Sequence, residues 1–132
     1  MPTVAQQMAD NAKQAMKLTR KYFVVELNYS EESLEELERV IDDFRIDMPD
    51  GDKPETVDLL MRLWGGYLGE VIRRHLDGAW INADEEAEDA VDESAAMTLG
   101  GRELQPLAHM RRRLEEGAEH NVWEYYRSLR GA

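Results

Sequence analysis

The stretch from Pro54 to Asp77 constrains the fold more than any other part of the chain. Val57, Leu60, Met61, Trp64, Leu68, Val71, Ile72 and His75 recur at spacings of three and four, which puts them on one face of one long helix. Pro54 suits its first turn, where a missing N–H costs nothing, and Gly78 is placed to be its C′ residue. A helix of this length spans a small domain, so the rest of the chain is expected to pack around it. The 132 residues make one domain, and 42% hydrophobic residues with three tryptophans supply a core despite 33% charge.

The flanking segments supply the other layers. Residues 1–20 form an N-terminal helical arm of Ala, Gln, Met and Lys, with a thin stripe of Val4, Met8, Ala12, Ala15 and Thr19 that suggests light packing or a homo-oligomer contact. Tyr22–Leu27 is a β-branched and aromatic run whose simplest reading is a strand, with a helix end as the alternative. Ser30 looks like an N-cap, with Glu31 and Glu32 in the first turn; Leu34, Leu37, Ile41 and Phe44 then face inward on a helix ending near Arg45. Met48–Lys53 is a loop by composition, and Ala79–Ile81 a short strand. Ala96–Leu99 and Arg102–Leu104 flank Gly100-Gly101, the pair a primed hairpin turn requires. Pro106 opens a helix with Leu107, Met110 and Leu114 inward and Gly117 closing it; Val122, Tyr126 and Leu129 mark a last one, Asn121–Arg130. The expected fold is α+β: one domain over 1–132, about five helices and a small, mainly antiparallel sheet including the β-hairpin of the C-terminal half.

Charge is distributed unevenly. The net charge of −12 divides into +3 over residues 1–25, −16 over 26–93 and +1 over 94–132. Such a balance speaks against direct nucleic-acid binding, which needs a basic footprint, and suits a basic protein partner. Seven of the ten residues in 84–93 are acidic, so this segment is expected to be an exposed, mobile loop, with Ala90-Val91 a potential strand start. The plain reading is a solvated loop. The sharper one is a partner surface of Asp84, Glu85, Glu86, Glu88 and Asp89, extended by Glu31, Glu32, Glu35 and Glu36. Arg111-Arg112-Arg113 is read as answering the protein's own acidic middle.

Two runs carry a resemblance: Trp64–Leu76 with Gly78 and Trp80, and Leu27–Leu34. With Gln105-Pro106-Leu107, Arg112–Glu115, Gly117 and Tyr125-Tyr126, they resemble a group of small, uncharacterised bacterial proteins whose helix reads Gly-x-Tyr-Leu-Gly-Glu before a Gly-x-x-Trp strand. Here the second piece is Gly78-Ala79-Trp80, and Trp64-Gly65-Gly66 stands where a more ordinary helical start is expected. The resemblance implies a domain of unknown function, with no activity or cofactor to carry over.

Candidate chemistry is sparse. Gly65, Gly66 and Gly69 each cost a helix interior about 1 kcal/mol relative to Ala, so something offsets them. Close packing is the plain explanation; a groove for a ligand or partner, lined by Gly65, Gly66, Tyr67, Gly69, Glu70, Arg74 and Trp80, is the functional one. Glu70 and Arg74 have the order of a helical ion pair. His75 lies on the apolar stripe and reads as a core histidine. His75, His109 and His120 lack metal-ligand spacing with each other, and Asp47, Asp50 and Asp52 do not fit a calcium loop. There is no cysteine and no evident nucleophile–base pair. No cofactor, metal or membrane contact is expected, and the cytoplasm is the expected location. The leading expectation is a non-catalytic interaction module of inhibitor, immunity or adaptor type. A nucleic-acid mimic and a small enzyme or ligand-binding domain are the alternatives.

Overall fold

The computed structural model describes residues 1–47 and 53–131. Among them are five α-helices: α1 (Val4–Phe23), α2 (Ser33–Asp47), α3 (Pro54–Leu76), α4 (Pro106–Glu116) and α5 (Val122–Arg130). Three short strands, β1 (Ala79–Trp80), β2 (Met97–Leu99) and β3 (Arg102–Leu104), form one antiparallel sheet in that order, with Trp80 opposite Met97 and Met97 opposite Leu104. Gly100 and Gly101 take φ values of 55° and 83°, the primed turn that their sequence predicts. The fold is α+β. The expected loop at Met48–Lys53 lies, Lys53 apart, outside the described residues, as do Asp50 and Asp52.

The long helix is the centre of the domain. Every residue of α3 from Leu63 to Ile72 is buried. Its three glycines let neighbours approach closely: a Cβ on Gly65 would stand 2.8 Å from Leu107 Cα of α4, and one on Gly66 2.9 Å from Asn11 Cβ of α1. At Gly69 the space is filled by the indole of Trp80. Trp64, fully buried, meets the edge of Phe44 at 5.9 Å between centroids, and its Nε1 donates to Thr19 Oγ1 at 3.1 Å. The thin stripe on α1 is therefore no light contact. Met8, Ala12, Ala15 and Thr19 are all fully buried, because small residues let α1 lie close against α3.

Several local expectations are corrected. Tyr22–Leu27 is not a strand: α1 continues through Phe23, which packs against Trp64, and Val24 closes it in a left-handed conformation with φ 57°. Tyr22 and Phe23 of this β-rich run join the helix, and Val25–Leu27 follow it without pairing into a strand. The left-handed residue that closes α3 is Asp77 (φ 62°), not Gly78. Gly78 is needed for room, since a Cβ there would be 3.2 Å from Ile72 and 3.3 Å from Met97. His75 is exposed rather than in the core; its Nε2 lies 2.7 Å from the carbonyl of Tyr29. Ser30 does cap α2: its Oγ accepts from Ser33 N at 3.1 Å, with Glu31 and Glu32 in a turn between.

Candidate functional site

A run of like charges should spread apart in water, yet the segment from Asp84 to Glu93 is held by its backbone. Helix α1 has no acid in its own first turn, and its leading N–H groups have no partners within the helix. The acidic segment supplies both carbonyls and negative charge there. Val4 N donates to Glu85 O and Ala5 N to Ala83 O, each at 3.0 Å, and Ala87 N returns a bond to Pro2 O at 3.0 Å. Gln7 completes the attachment: its Nε2 donates to the carbonyls of Ala87 (3.2 Å) and Asp89 (3.0 Å), and its Oε1 accepts from Val91 N (2.9 Å). The segment is the expected exposed loop, tied to α1 by these bonds as a ridge, and Ala90-Val91 starts no strand. The helix dipole favours this placement of negative charge.

The side chains of the ridge remain uncommitted. Asp84, Glu85, Glu86, Glu88 and Asp89 are exposed, and none of them takes part in an ion pair among the described residues. Its C-terminal end is tied down: Glu93 pairs with Arg111 at 2.8 Å, and hydrogen bonds from Ser94 hold the Asp92 carboxyl below the usual carboxylate range.

The acids of α2 and its approach behave differently. Glu31 accepts hydrogen bonds from the Tyr126 hydroxyl and from Arg130, and the first of these holds its carboxyl below the usual range. Glu36 pairs with Arg39. Glu38 and Asp42 converge on Arg113, which is fully buried: Nε and Nη2 donate to Glu38 at 2.9–3.1 Å, and Nη2 donates to Asp42 at 2.7 Å. Glu38 also accepts from Val122 N at 2.7 Å. Arg111 pairs with Asp58 as well as Glu93. Of the four acids expected to extend the partner surface, only Glu32 and Glu35 stay exposed and without an ion pair among the described residues; Glu31 and Glu36 are engaged.

The expected groove divides in two. Gly65, Gly66 and Gly69 are packed against α4, α1 and Trp80, as described. Tyr67 is buried; its hydroxyl accepts from Tyr29 N at 2.8 Å and shares a hydrogen bond of 2.6 Å with Ser33 Oγ. The expected Glu70–Arg74 pair does not form. Glu70, 2% exposed, instead receives Arg73 at both oxygens (2.8 and 3.1 Å) and Trp80 Nε1 at 3.0 Å. Arg73, three residues on, reaches the inward carboxylate, whereas the Arg74 guanidinium lies 3.5 Å from the centroid of the Tyr29 ring. Glu70, Arg73 and Trp80 do line an open cleft of about 620 Å³, whose other walls include Ala5 and Ala9 of α1, Asp77 and Ala83.

Two features were not legible beforehand. A single 3-10 turn, Ala118–His120, brings ligand atoms of Glu116, Glu119 and His120 within 4.8 Å of one another, with His120 Nε2 3.1 Å from Glu116. Glu116 and His120 stand four apart in the sequence, but only the 3-10 turn adds Glu119. His109 is buried, with Nε2 2.9 Å from His120 O and its ring stacked 3.9 Å from Tyr125; burial pushes it down to about 4.

Among the described residues, no helix is long and apolar enough to cross a membrane. Compared with known proteins, the chain matches no family model, no curated protein and no solved structure.

Proposed function

We propose that the protein is a non-catalytic interaction module whose acidic surface receives a basic protein partner. The observation that carries this reading is the ridge 84–89: five exposed carboxylates with no ion pair among the described residues, on a backbone hydrogen-bonded to α1. A charged surface that is already ordered loses little conformational entropy on binding, and acidic side chains at its rim speed encounter with a cation-rich partner. Inhibitor, immunity and adaptor roles all fit this chemistry.

A nucleic-acid mimic draws less support, because it needs rows of free acids on α2, where Glu38 and Asp42 serve Arg113. The test is affinity capture from the native host after nuclease treatment, comparing the wild type with a variant in which Asp84, Glu85, Glu86, Glu88 and Asp89 are all amidated. The expected result is a stoichiometric basic protein that the wild type retains, that salt releases and that the amidated variant does not hold. Capture of the same proteins by both forms would remove the reading.

A further inference from the structure

The acidic ridge stands between two open depressions. One is the cleft of about 620 Å³ beside Glu70 and Trp80. The other, about 570 Å³, has an apolar floor that includes Val4, Ile81, Ala87 and Val91. Its margin carries Glu88, Asp89, Asp92 and Glu103. The two are neighbours: Val4 lines one and Ala5 the other, and Asn82 lines one and Ala83 the other. Asp84, Glu85 and Glu86, all exposed, belong to neither lining.

We infer that the ridge and the two depressions form one docking surface for an extended basic segment, a Lys- or Arg-rich stretch of a partner protein that also carries apolar side chains. This rests on the proposed function and names the form the partner takes. Charge complementarity selects the sign of the occupant, since five exposed carboxylates along the ridge have no ion-pair partner among the described residues. The apolar content follows from the depressions. Val4, Ile81, Ala87 and Val91 in the depression of about 570 Å³, and the alanines and the Trp80 indole in the cleft of about 620 Å³, offer hydrophobic contact that a side chain can use and a bare cation cannot. In the cleft beside Trp80 the one cation among the described lining residues, Arg73, is turned onto Glu70 and so does not oppose a basic occupant with a free charge. Asp84, Glu85 and Glu86 lie along the chain between Ala83, which lines one depression, and Ala87, which lines the other, so an extended chain that crosses the ridge with spaced apolar residues can place one in each.

The experiment uses the full chain and two fluorescent peptides of equal charge. One is lysine with leucine at every third position; the other has serine in place of leucine. Anisotropy at low salt is expected to show the leucine peptide binding about tenfold or more tightly over the serine peptide, the effect of burying one or two such side chains. Filling the depressions, by Ala90→Trp in one and Ala9→Trp in the other, is expected to erase the leucine preference while leaving serine-peptide binding intact. Glu88→Gln with Asp89→Asn is expected to weaken both peptides. Equal affinity for the two peptides overturns the docking inference yet leaves an acidic interaction surface standing. Indifference of both peptides to the amidated ridge overturns the proposed function as well. Displacement of the leucine peptide by spermidine at matched charge concentration would show that the surface selects simple cations, and this too overturns the inference.

Discussion

The indole of Trp80 occupies the volume that a side chain on Gly69 would need. The pairing joins the central helix to the first strand, and Trp80 Nε1 then reaches Glu70, the next residue along that helix. Gly69→Ala is therefore expected to destabilise the fold by about 2 kcal/mol or more, even though alanine is the better helix former by about 1 kcal/mol. Trp80→Leu in the same chain should recover part of the loss. Urea unfolding of the two single variants and the double variant measures this coupling, and simple additivity would count against the contact.

Arg113 is fully buried between Glu38 and Asp42. Removing its main partner with Glu38→Leu leaves the buried guanidinium with Asp42 alone and the Val122 N–H without its acceptor, at an expected cost of about 3–5 kcal/mol. Replacing both residues, Glu38→Leu with Arg113→Met, should cost less than the two single changes added together. Thermal and urea melts of the set decide it.

His109 is held neutral by burial, its ring pushed down to about 4 from an ordinary value near 6.5. Its unfolded form binds a proton that the folded form refuses. The stability gained is complete above pH about 6.5 and is lost as pH falls toward about 4, with a slope of at most about 1.4 kcal/mol per pH unit. His109→Gln should flatten this part of the stability profile relative to wild type, while the carboxylate titrations below it persist. Unfolding free energies measured every half unit across the window provide the check.

Gln7 makes three hydrogen bonds to the backbone of the acidic ridge. Gln7→Ala is expected to raise amide exchange at Val91 and its neighbours, with a global cost of about 1–3 kcal/mol. The helical amides of α1 beyond its first turns should keep their protection. Hydrogen exchange read by mass spectrometry separates these outcomes; unchanged exchange across 87–91 would mean that the ridge is held by other means.

The helices were legible because their apolar residues repeat with helical period. Leu60, Trp64, Leu68 and Val71 on α3, and Leu107, Met110 and Leu114 on α4, are buried as their spacing requires. The hairpin was legible from Gly100-Gly101, whose conformation few other pairs adopt. Tyr22–Leu27 misled because local β preference yields to packing: Phe23 gains more against Trp64 than it would in an unpaired strand. The partner of Glu70 was misjudged because Arg73 and Arg74 both lie one turn away, and only the direction of the buried carboxylate, fixed by Trp80, chooses between them. The ridge was hidden for a different reason. Composition registers its repulsion, but the bonds that restrain it come from Val4, Ala5 and Gln7, about eighty residues earlier in the chain.

That last distance has a consequence for assembly. The opening turn of α1 is synthesised well before the ridge, yet its N–H groups at Val4 and Ala5 find their acceptors only at Glu85 and Ala83. Contacts so remote in sequence form late, because the long intervening loop must close before they stabilise anything. As the chain emerges, the reciprocal Thr3–Gln6 cap can already close the start of α1, but the Val4 and Ala5 N–H groups wait for their acceptors until the ridge has followed. The earliest helix of the chain is in this respect among the last to be finished, and the acidic surface becomes ordered in the same event.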